Sequence, residues 1–280
     1  MGNFQVWVTF KKLLYLIIFT TLVAGSGYTT DLPIRFDHIS VKDGLTMNAV
    51  HTILEDSQGF MWFGTRFGLN RWDGREIKAF LFDPLDDTSI PGSHITALHE
   101  DVDNVMWVGS SNGGFSRYDR DNENFENFKH DPDNSNSLVS NRVTCFLTDS
   151  RGALWIGTEN GLSRYVDLTG TFTSFYPDPE NDRSLAQDRI TCMAETPGGM
   201  LWVGTENGAA TVIFLEDYSM NRRVKIRRST SVGLTAMLAD SIDECLWIGR
   251  FGVGVHRWDY NTDKFETIND PDMAVSPMGG

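Results

Sequence analysis

An all-β fold of the β-propeller class is predicted by three observations. These are a fivefold internal repeat, a tryptophan–glycine unit in every copy, and Asn-Gly turns between short apolar segments. MWFG at 61–64 returns as MWVG at 106–109, LWIG at 154–157, LWVG at 201–204 and LWIG at 246–249. The tryptophans Trp62, Trp107, Trp155, Trp202 and Trp247 are spaced by 45, 48, 47 and 45 residues. A period of about 40–50 residues filled with short strands is that of propeller blades.

Each repeat reads as four strands. The first is apolar or small at nearly every position: VHTILED at 50–56, ITALHED at 95–101, VTCFLTD at 143–149 and ITCMAET at 190–196. A strand buried on both faces has this pattern. A turn follows, Asp56 to Gly59 or Asp149 to Gly152, built from turn-forming Asp and Gly. The second strand carries the tryptophan, expected to be structural, since one large side chain per blade fills the gap between packed blades. Gly64, Gly109, Gly157, Gly204 and Gly249, two residues on, leave room where neighbouring backbones approach. Hairpins then turn at Asn160-Gly161 and Asn207-Gly208, where Asn-Gly supplies positive φ. The third strand recurs as Arg71-Trp72-Asp73, Arg117-Tyr118-Asp119, Arg164-Tyr165 and Arg257-Trp258-Asp259. The fourth is polar and aromatic, hence outer: AFLF at 79–82, NFENF at 124–128, TFTSF at 171–175 and KFETI at 264–268.

Residues 34–40, IRFDHIS, also match a fourth strand. The chain then has six fourth strands but five complete sets of the other three. Five four-stranded blades plus an extra N-terminal strand make an incomplete part of a larger propeller. Its two end blades are expected to expose apolar faces.

The segments outside the repeats have their own character. Lys11 and Lys12 precede the apolar run LLYLIIFTTLVAG at 13–25, and small residues follow. This is the pattern of a secretory signal peptide, assigned to residues 1–26, and the run is short for a membrane span. The repeats occupy 34–270, and 271–280 is expected to be an unstructured tail. The body of the protein is therefore placed in the periplasm, with membrane contact only if the signal segment stays uncleaved. With 24 basic and 38 acidic residues the net charge is −14, which argues against nucleic-acid partners and anionic membrane surfaces.

Familiar catalytic and metal motifs are absent from the sequence. There is no HExxH, GxSxG, Walker loop or EF-hand pattern, so no metal, cofactor or enzymatic activity is expected. Asp119 and Asp131 begin calcium-like acidic loops that lack the glycine and glutamate an EF-hand needs. Cys145, Cys192 and Cys245 form no CxxC pair, and Cys145 and Cys192 hold equivalent core positions in adjacent inner strands. Arg222, Arg223, Lys225, Arg227 and Arg228 form a basic cluster on the outer strand of repeat four. It reads as a solvated edge, with a docking surface for an acidic partner as second reading.

A candidate ligand site follows from topology. The loop between strands two and three opens on the same face as the start of the first strand, around the mouth of the ring. His94, Arg142 and Arg189 each lie thirteen residues before their tryptophan, and Ala49 and Leu234 hold that spacing in repeats one and five. The second-to-third loops add Arg66, Phe67, Asn112, Asn160, Asn207, Arg250 and Phe251. Cations, amides and two aromatics at one mouth suit a small carboxylated or hydroxyl-rich ligand such as an acidic oligosaccharide. The competing reading is that the arginines only hold carboxylates of the acidic connecting loops.

The unit D-x-x-G-x-[LM]-W-[IVF]-G-T-x-x-G-L-x-R-[YW], complete at Asp56–Trp72 and Asp149–Tyr165, resembles the two-component regulator propeller repeat. The loops His130-Asp131-Pro132 to Leu138 and Pro177-Asp178-Pro179 to Leu185 match as well. The resemblance covers about residues 34–270 and implies a propeller that is usually seven-bladed. It implies the periplasmic, ligand-binding sensor region of bacterial histidine kinases, hybrid regulators or diguanylate cyclases, some of which sense oligosaccharides. A kinase or cyclase output domain, or a separate protein partner, is implied with it. No such output segment and no membrane helix after the propeller is visible in this sequence. Repeat four lacks the Arg-Tyr-Asp strand, and repeat five has Arg250-Phe251-Gly252 in place of Thr-x-x-Gly. An interaction scaffold and a propeller polysaccharide lyase or glycosidase are the alternative functions. Polar positions that recur from blade to blade favour binding or structure over catalysis.

Overall fold

Each of the five repeats folds into one four-stranded antiparallel sheet in the computed structural model of the protein, which describes residues 36–166, 170–225 and 232–268. Contacts divide the chain into Met1–His38 and Ile39–Gly280, and all five sheets lie in the second unit. Blade 1 consists of Val50–Glu55, Met61–Thr65, Gly68–Trp72 and Ile77–Phe80, in that spatial order. Blade 2 runs Ile95–Glu100, Met106–Ser110, Phe115–Asp119 and Asn124–Phe128. Blade 3 runs Val143–Thr148, Leu154–Thr158, Gly161–Val166 and Thr171–Phe175. Blade 4 runs Ile190–Thr196, Met200–Thr205, Ala209–Phe214 and Ser219–Lys225. Blade 5 runs Leu234–Asp240, Cys245–Arg250, Gly254–Asp259 and Lys264–Ile268.

The register repeats as closely as the sequence does. Each tryptophan lies between a first-strand residue and a third-strand residue, as Trp62 does between Leu54 and Arg71. Every first strand is interrupted by a bulge at its second residue: His51, Thr96, Thr144, Thr191 and Thr235. A bulge adds one residue on one strand and re-aims that side chain.

The apolar cores lie between blades. Trp62 packs with Ile95, Met106, Val108 and Tyr118 of the next blade. Trp107 packs with Val143, Ile156 and Tyr165, Trp155 with Ile190, Val203 and Ile213, and Trp202 with Leu234, Ile248 and Trp258. Four of the five tryptophans are thus buried seam residues. The repeat glycines serve the same seams, with a correction to the expected cause. A Cβ on Gly157 would sit 2.9 Å from Ile190 Cγ2, and one on Gly109 would sit 2.7 Å from Val143 Cγ1. The neighbours that need the space are side chains of the next blade's first strand, not its backbone.

The two end blades lack a neighbour on one side. The first strands pack in chain order, blade 1 on 2 through to 4 on 5, but those of blades 1 and 5 do not pack on each other in this way. In blade 1, Val50, Met61, Phe63 and Trp72 are only half-buried, whereas their counterparts Ile95, Met106, Val108 and Tyr118 are buried. Ile53 is 59% exposed, and at the far end Leu238 is 65% exposed. Trp247 is half-buried, and a Cβ on Gly249 would meet only atoms of its own blade. The five blades form a partial propeller with an open seam at each end.

Three expectations need adjustment. The extra strand over Ile34–Ser40 does not form where the chain is described: residues 36–40 belong to no sheet, and a short 3-10 turn, Val41–Asp43, follows. A fourth strand must hydrogen-bond to a third, and none is offered there. Leu234 is not the blade-5 counterpart of His94. It pairs with Arg250 as Ile95 pairs with Ser110, because the turn before Trp247 is one residue longer, and the counterpart is Gly233. The first blade's outer strand lies two residues before AFLF, with Phe80 opposite Leu69. The signal peptide of residues 1–26 and the tail at 271–280 lie outside the described residues.

Seam packing gives a paired prediction. Gly157→Ala is expected to destabilise by about 1–3 kcal/mol, the usual cost of overpacking. The new Cβ would also meet Cys145 Sγ at 2.6 Å. Gly249→Ala, whose nearest neighbour would be Thr235 Oγ1 at 3.1 Å, is expected to cost clearly less. Urea denaturation of both proteins checks this, and equal losses would contradict an open seam beside blade 5.

Candidate ligand-binding face

Topology places the start of each first strand beside its own blade's second-to-third hairpin, and backbone hydrogen bonds fix the pairing. Ser111 N donates to His94 O at 3.0 Å, Glu159 N to Arg142 O at 2.9 Å, Glu206 N to Arg189 O at 3.2 Å, and Phe251 N to Gly233 O at 3.3 Å. His94, Arg142 and Arg189 therefore share one face with Asn112, Asn160 and Asn207, and all three asparagines are exposed. Phe67 and Phe251, 59% and 77% exposed, stand on the corresponding hairpins of blades 1 and 5. Arg250 differs: it is 5% exposed and lies in the last position of its strand, so it is part of the blade and not displayed on the face.

The arginines of blades 3 and 4 are not free charges. Arg142 donates to Glu159 at 2.8 Å, and Arg189 reaches Glu206 at 3.2 Å and Glu159 at 3.5 Å. The hydrogen bond to Glu159 raises the Arg142 pKa above its ordinary value. The four groups form an alternating chain of charge across two blades. The carboxylates come from the hairpins themselves, not from the connecting loops that sequence reasoning suggested. All four are at least partly exposed, where one ion pair contributes little stability, so the chain is open to exchange with an anionic ligand.

The blade 1–2 side has another composition. His51, at the bulge of blade 1, places its ring 4.8 Å from the ring of His94. Burial, then His51, then Arg66 lower the His94 pKa, so two neighbouring basic groups act on this imidazole. Sequence reasoning missed His51. Its signal was available, because the other four first strands have threonine there: Thr96, Thr144, Thr191 and Thr235.

Other polar features are structural. Trp62, Trp107 and Trp155 donate their indole N–H to Asp56, Asp101 and Asp149, each at 2.8 Å. The Asp56 pKa is lowered: burial raises it, but hydrogen bonds from Trp62, Arg120 and Phe60 outweigh that. In blade 4 the aspartate is replaced by Thr196, and the buried Trp202 indole nitrogen has no hydrogen-bond partner among the described residues. Arg223 donates to Ser184 O at 3.1 Å, Asp178 O at 2.6 Å and Asn181 O at 2.8 Å. This member of the basic cluster therefore clamps a connecting loop and is not a solvated edge. Asp119 caps its own turn by accepting from Asp121 N at 2.9 Å and Asn122 N at 3.1 Å, and Asp131 accepts from Asp133 N at 3.0 Å. Burial pushes the Cys145 and Cys192 thiols up to about 12 and about 11, which keeps them unreactive.

Comparison with known proteins agrees with this architecture. The two component regulator propeller model matches residues 44–67, 89–112, 137–160 and 184–207, each running from the loop before a first strand to the second-to-third hairpin. Over 55 residues the chain is 42% identical to histidine kinase P4 of Formosa agariphila, covering 20% of this chain and 4% of that protein. The extracellular domain of a hybrid two component system of B. thetaiotaomicron is 25% identical, with a TM-score of 0.70 over 82% of this chain and 31% of its own. A second such domain from that organism shares the fold at 18% identity and a TM-score of 0.54, over 87% of this chain and 36% of its own. A virginiamycin B lyase from Staphylococcus aureus shares the fold alone at 17% identity and a TM-score of 0.60, over 78% of this chain and 69% of its own. The chain thus spans about a third of the length of these two extracellular domains. No helix among the described residues is long and apolar enough to cross a membrane. Four of the five repeats thus match the two component regulator propeller model, and all five fold into the same four-stranded blade.

Proposed function

We propose that this propeller is the extracytoplasmic, ligand-binding sensor region of a bacterial signal-transduction system, acting in the periplasm and working through a kinase-type output. The likeness at 25% identity to an extracellular domain of a hybrid two component system is the observation that carries this reading. The face bearing His94, Arg142, Arg189, Arg66, Phe67, Asn112, Asn160, Asn207 and Phe251 is the proposed ligand face, with Arg250 behind it. It combines side-chain amides, exposed aromatics and exchangeable ion pairs, which suits an acidic oligosaccharide. The ligand's carboxylate would take the place of Glu159 or Glu206 on the arginines, so binding would rearrange two hairpins at once. Such a rearrangement is a physical route from ligand to output.

Calorimetry with a panel of acidic and neutral oligosaccharides tests this. An acidic member is expected to bind, and Arg142→Ala and Arg189→Ala are each expected to weaken it about tenfold. Unchanged affinity in both variants would remove these arginines from the site. Release of a cleaved or unsaturated sugar would favour a propeller lyase or glycosidase instead.

A further inference from the structure

The geometry points to a proton-coupled carboxylate subsite at the seam of blades 1 and 2, formed by His51, His94 and Arg66 with Phe67 as its apolar wall. This inference rests on the proposal that the face takes an acidic ligand, and it names where the carboxylate enters and what controls its affinity.

Four observations converge on this place. The first is position. The second residue of each first strand sits at a bulge, and in blade 2 that residue reaches the next blade, where Thr96 Oγ1 donates to Val143 O across the blade 2–3 seam at 2.7 Å. His51 takes that position in blade 1 and meets His94 of blade 2. The second is uniqueness. Four blades keep threonine at this position, so the fold does not require an imidazole there. The third is charge balance. Arg142 and Arg189 are neutralised by Glu159 and Glu206, but no hydrogen bond or ion pair engages the side chains of Arg66, His51 or His94 among the described residues. In a chain of net charge −14, a guanidinium beside two imidazoles, none of them paired to a carboxylate, is a place where an anion can enter. The fourth is access. Arg66, His51 and Phe67 are exposed and His94 is half-buried.

The chemistry follows from these groups. Arg66 offers a two-pronged donor to a carboxylate. Two imidazoles in ring contact cannot both be charged without repulsion, and the adjacent guanidinium adds to it. The charged and titratable groups that act on His94 are His51 from blade 1's first strand and Arg66 from its hairpin. Blade 2's own hairpin brings Ser111 and Asn112, which carry no charge. Burial first, and the neighbouring His51 and Arg66 after it, hold the His94 pKa below its ordinary value, so in the free protein His94 stays neutral at a pH where an ordinary histidine would already be protonated. A bound carboxylate reverses that balance, so binding takes up a proton and tightens as the pH falls through the histidine range near 6.5. Phe67 offers its face to the apolar side of a sugar ring. Because a uronic acid joins such a ring to a carboxylate, carboxylated sugars are the ligand class.

The test is an NMR titration of the imidazole resonances with digalacturonic acid and with its methyl ester, from pH 8 to pH 5, supported by calorimetry. The acid is expected to shift the His51 and His94 resonances, to raise the His94 pKa, and to bind about tenfold more tightly at pH 5.5 than at pH 7.5. His94→Asn removes the imidazole that takes up the proton and is expected to abolish the pH dependence, whereas His51→Thr, which restores the residue that the other blades carry, is expected to weaken it with folding intact. Arg66→Ala is expected to weaken binding at pH 5.5 about tenfold. The methyl ester is expected to bind without pH dependence or not at all. Imidazole resonances that ignore the acid, or an affinity independent of pH, overturn the subsite. If the acid binds through Arg142 and Arg189 while the imidazoles stay silent, the subsite falls and the sensor reading stands. If the imidazoles respond but the Arg142→Ala and Arg189→Ala proteins bind normally, the subsite stands and the wider ligand face falls.

Discussion

Trp155→Ala is expected to destabilise the protein by about 3–5 kcal/mol, the usual range for removing a buried aromatic. Trp155 is fully buried in the blade 3–4 seam beside Ile190, Val203 and Ile213, with its ring 5.5 Å from that of Phe175. Truncation would leave a cavity that two rigid sheets cannot close, and would strand the carboxylate of Asp149 that accepts its indole N–H. Trp247→Ala is the control. Its side chain is half-buried beside the open end of blade 5, so the loss is expected to be clearly smaller. Thermal or urea denaturation of the two variants decides. Equal losses would mean that blade 5 is closed by packing that the five-blade arc does not show.

Asp149→Ala is expected to cost about 3 kcal/mol. This carboxylate, 2% exposed, accepts from Arg151 N at 3.0 Å, Ala153 N at 2.9 Å and Trp155 Nε1 at 2.8 Å. It therefore ties the turn between the first two strands to the seam tryptophan. Hydrogen bonds to a charged acceptor contribute about 1.5–3 kcal/mol each, and part of that returns where a freed backbone N–H reaches water. Blade 4 offers the reverse experiment. Thr196→Asp would give the orphaned Trp202 indole the partner that three other blades provide at 2.8 Å, and is expected to stabilise by about 1 kcal/mol. A lower melting temperature for Thr196→Asp would show that the cost of burying the carboxylate exceeds the gain.

The legible part of the fold was the part that repeats. A side chain that does the same job five times leaves a periodic trace, so the tryptophans, the Asn-Gly hairpins and the apolar first strands could be placed by spacing alone. The aspartate of the turn in blades 1 to 3 is legible as a turn former, but its second role as the indole's acceptor is not. The two residues are six apart, and that distance shows no contact until the strands pair. The one-residue insertion before Trp247 misplaced Leu234 for the same reason, because register is set by hydrogen bonds and not by counting back from a landmark.

The candidate face divides along the same line. Topology alone put His94, Arg142 and Arg189 on one side of the blades, since a strand start and the hairpin beside it must share an end. It could not say which cations were already paired. Arg142 and Glu159 are seventeen residues apart, and their contact at 2.8 Å exists only because the hairpin folds back over the strand start. Nor could it join His51 to His94, which lie on different sheets and meet only across a seam. The sequence by itself determined five blades, their strand order and the end of each blade that carries the polar loops, because these follow from local periodicity and chain connectivity. Tertiary structure alone decided how tightly each seam is packed and which charges are neutralised, because packing and ion pairing are set by distances between blades that no single repeat contains.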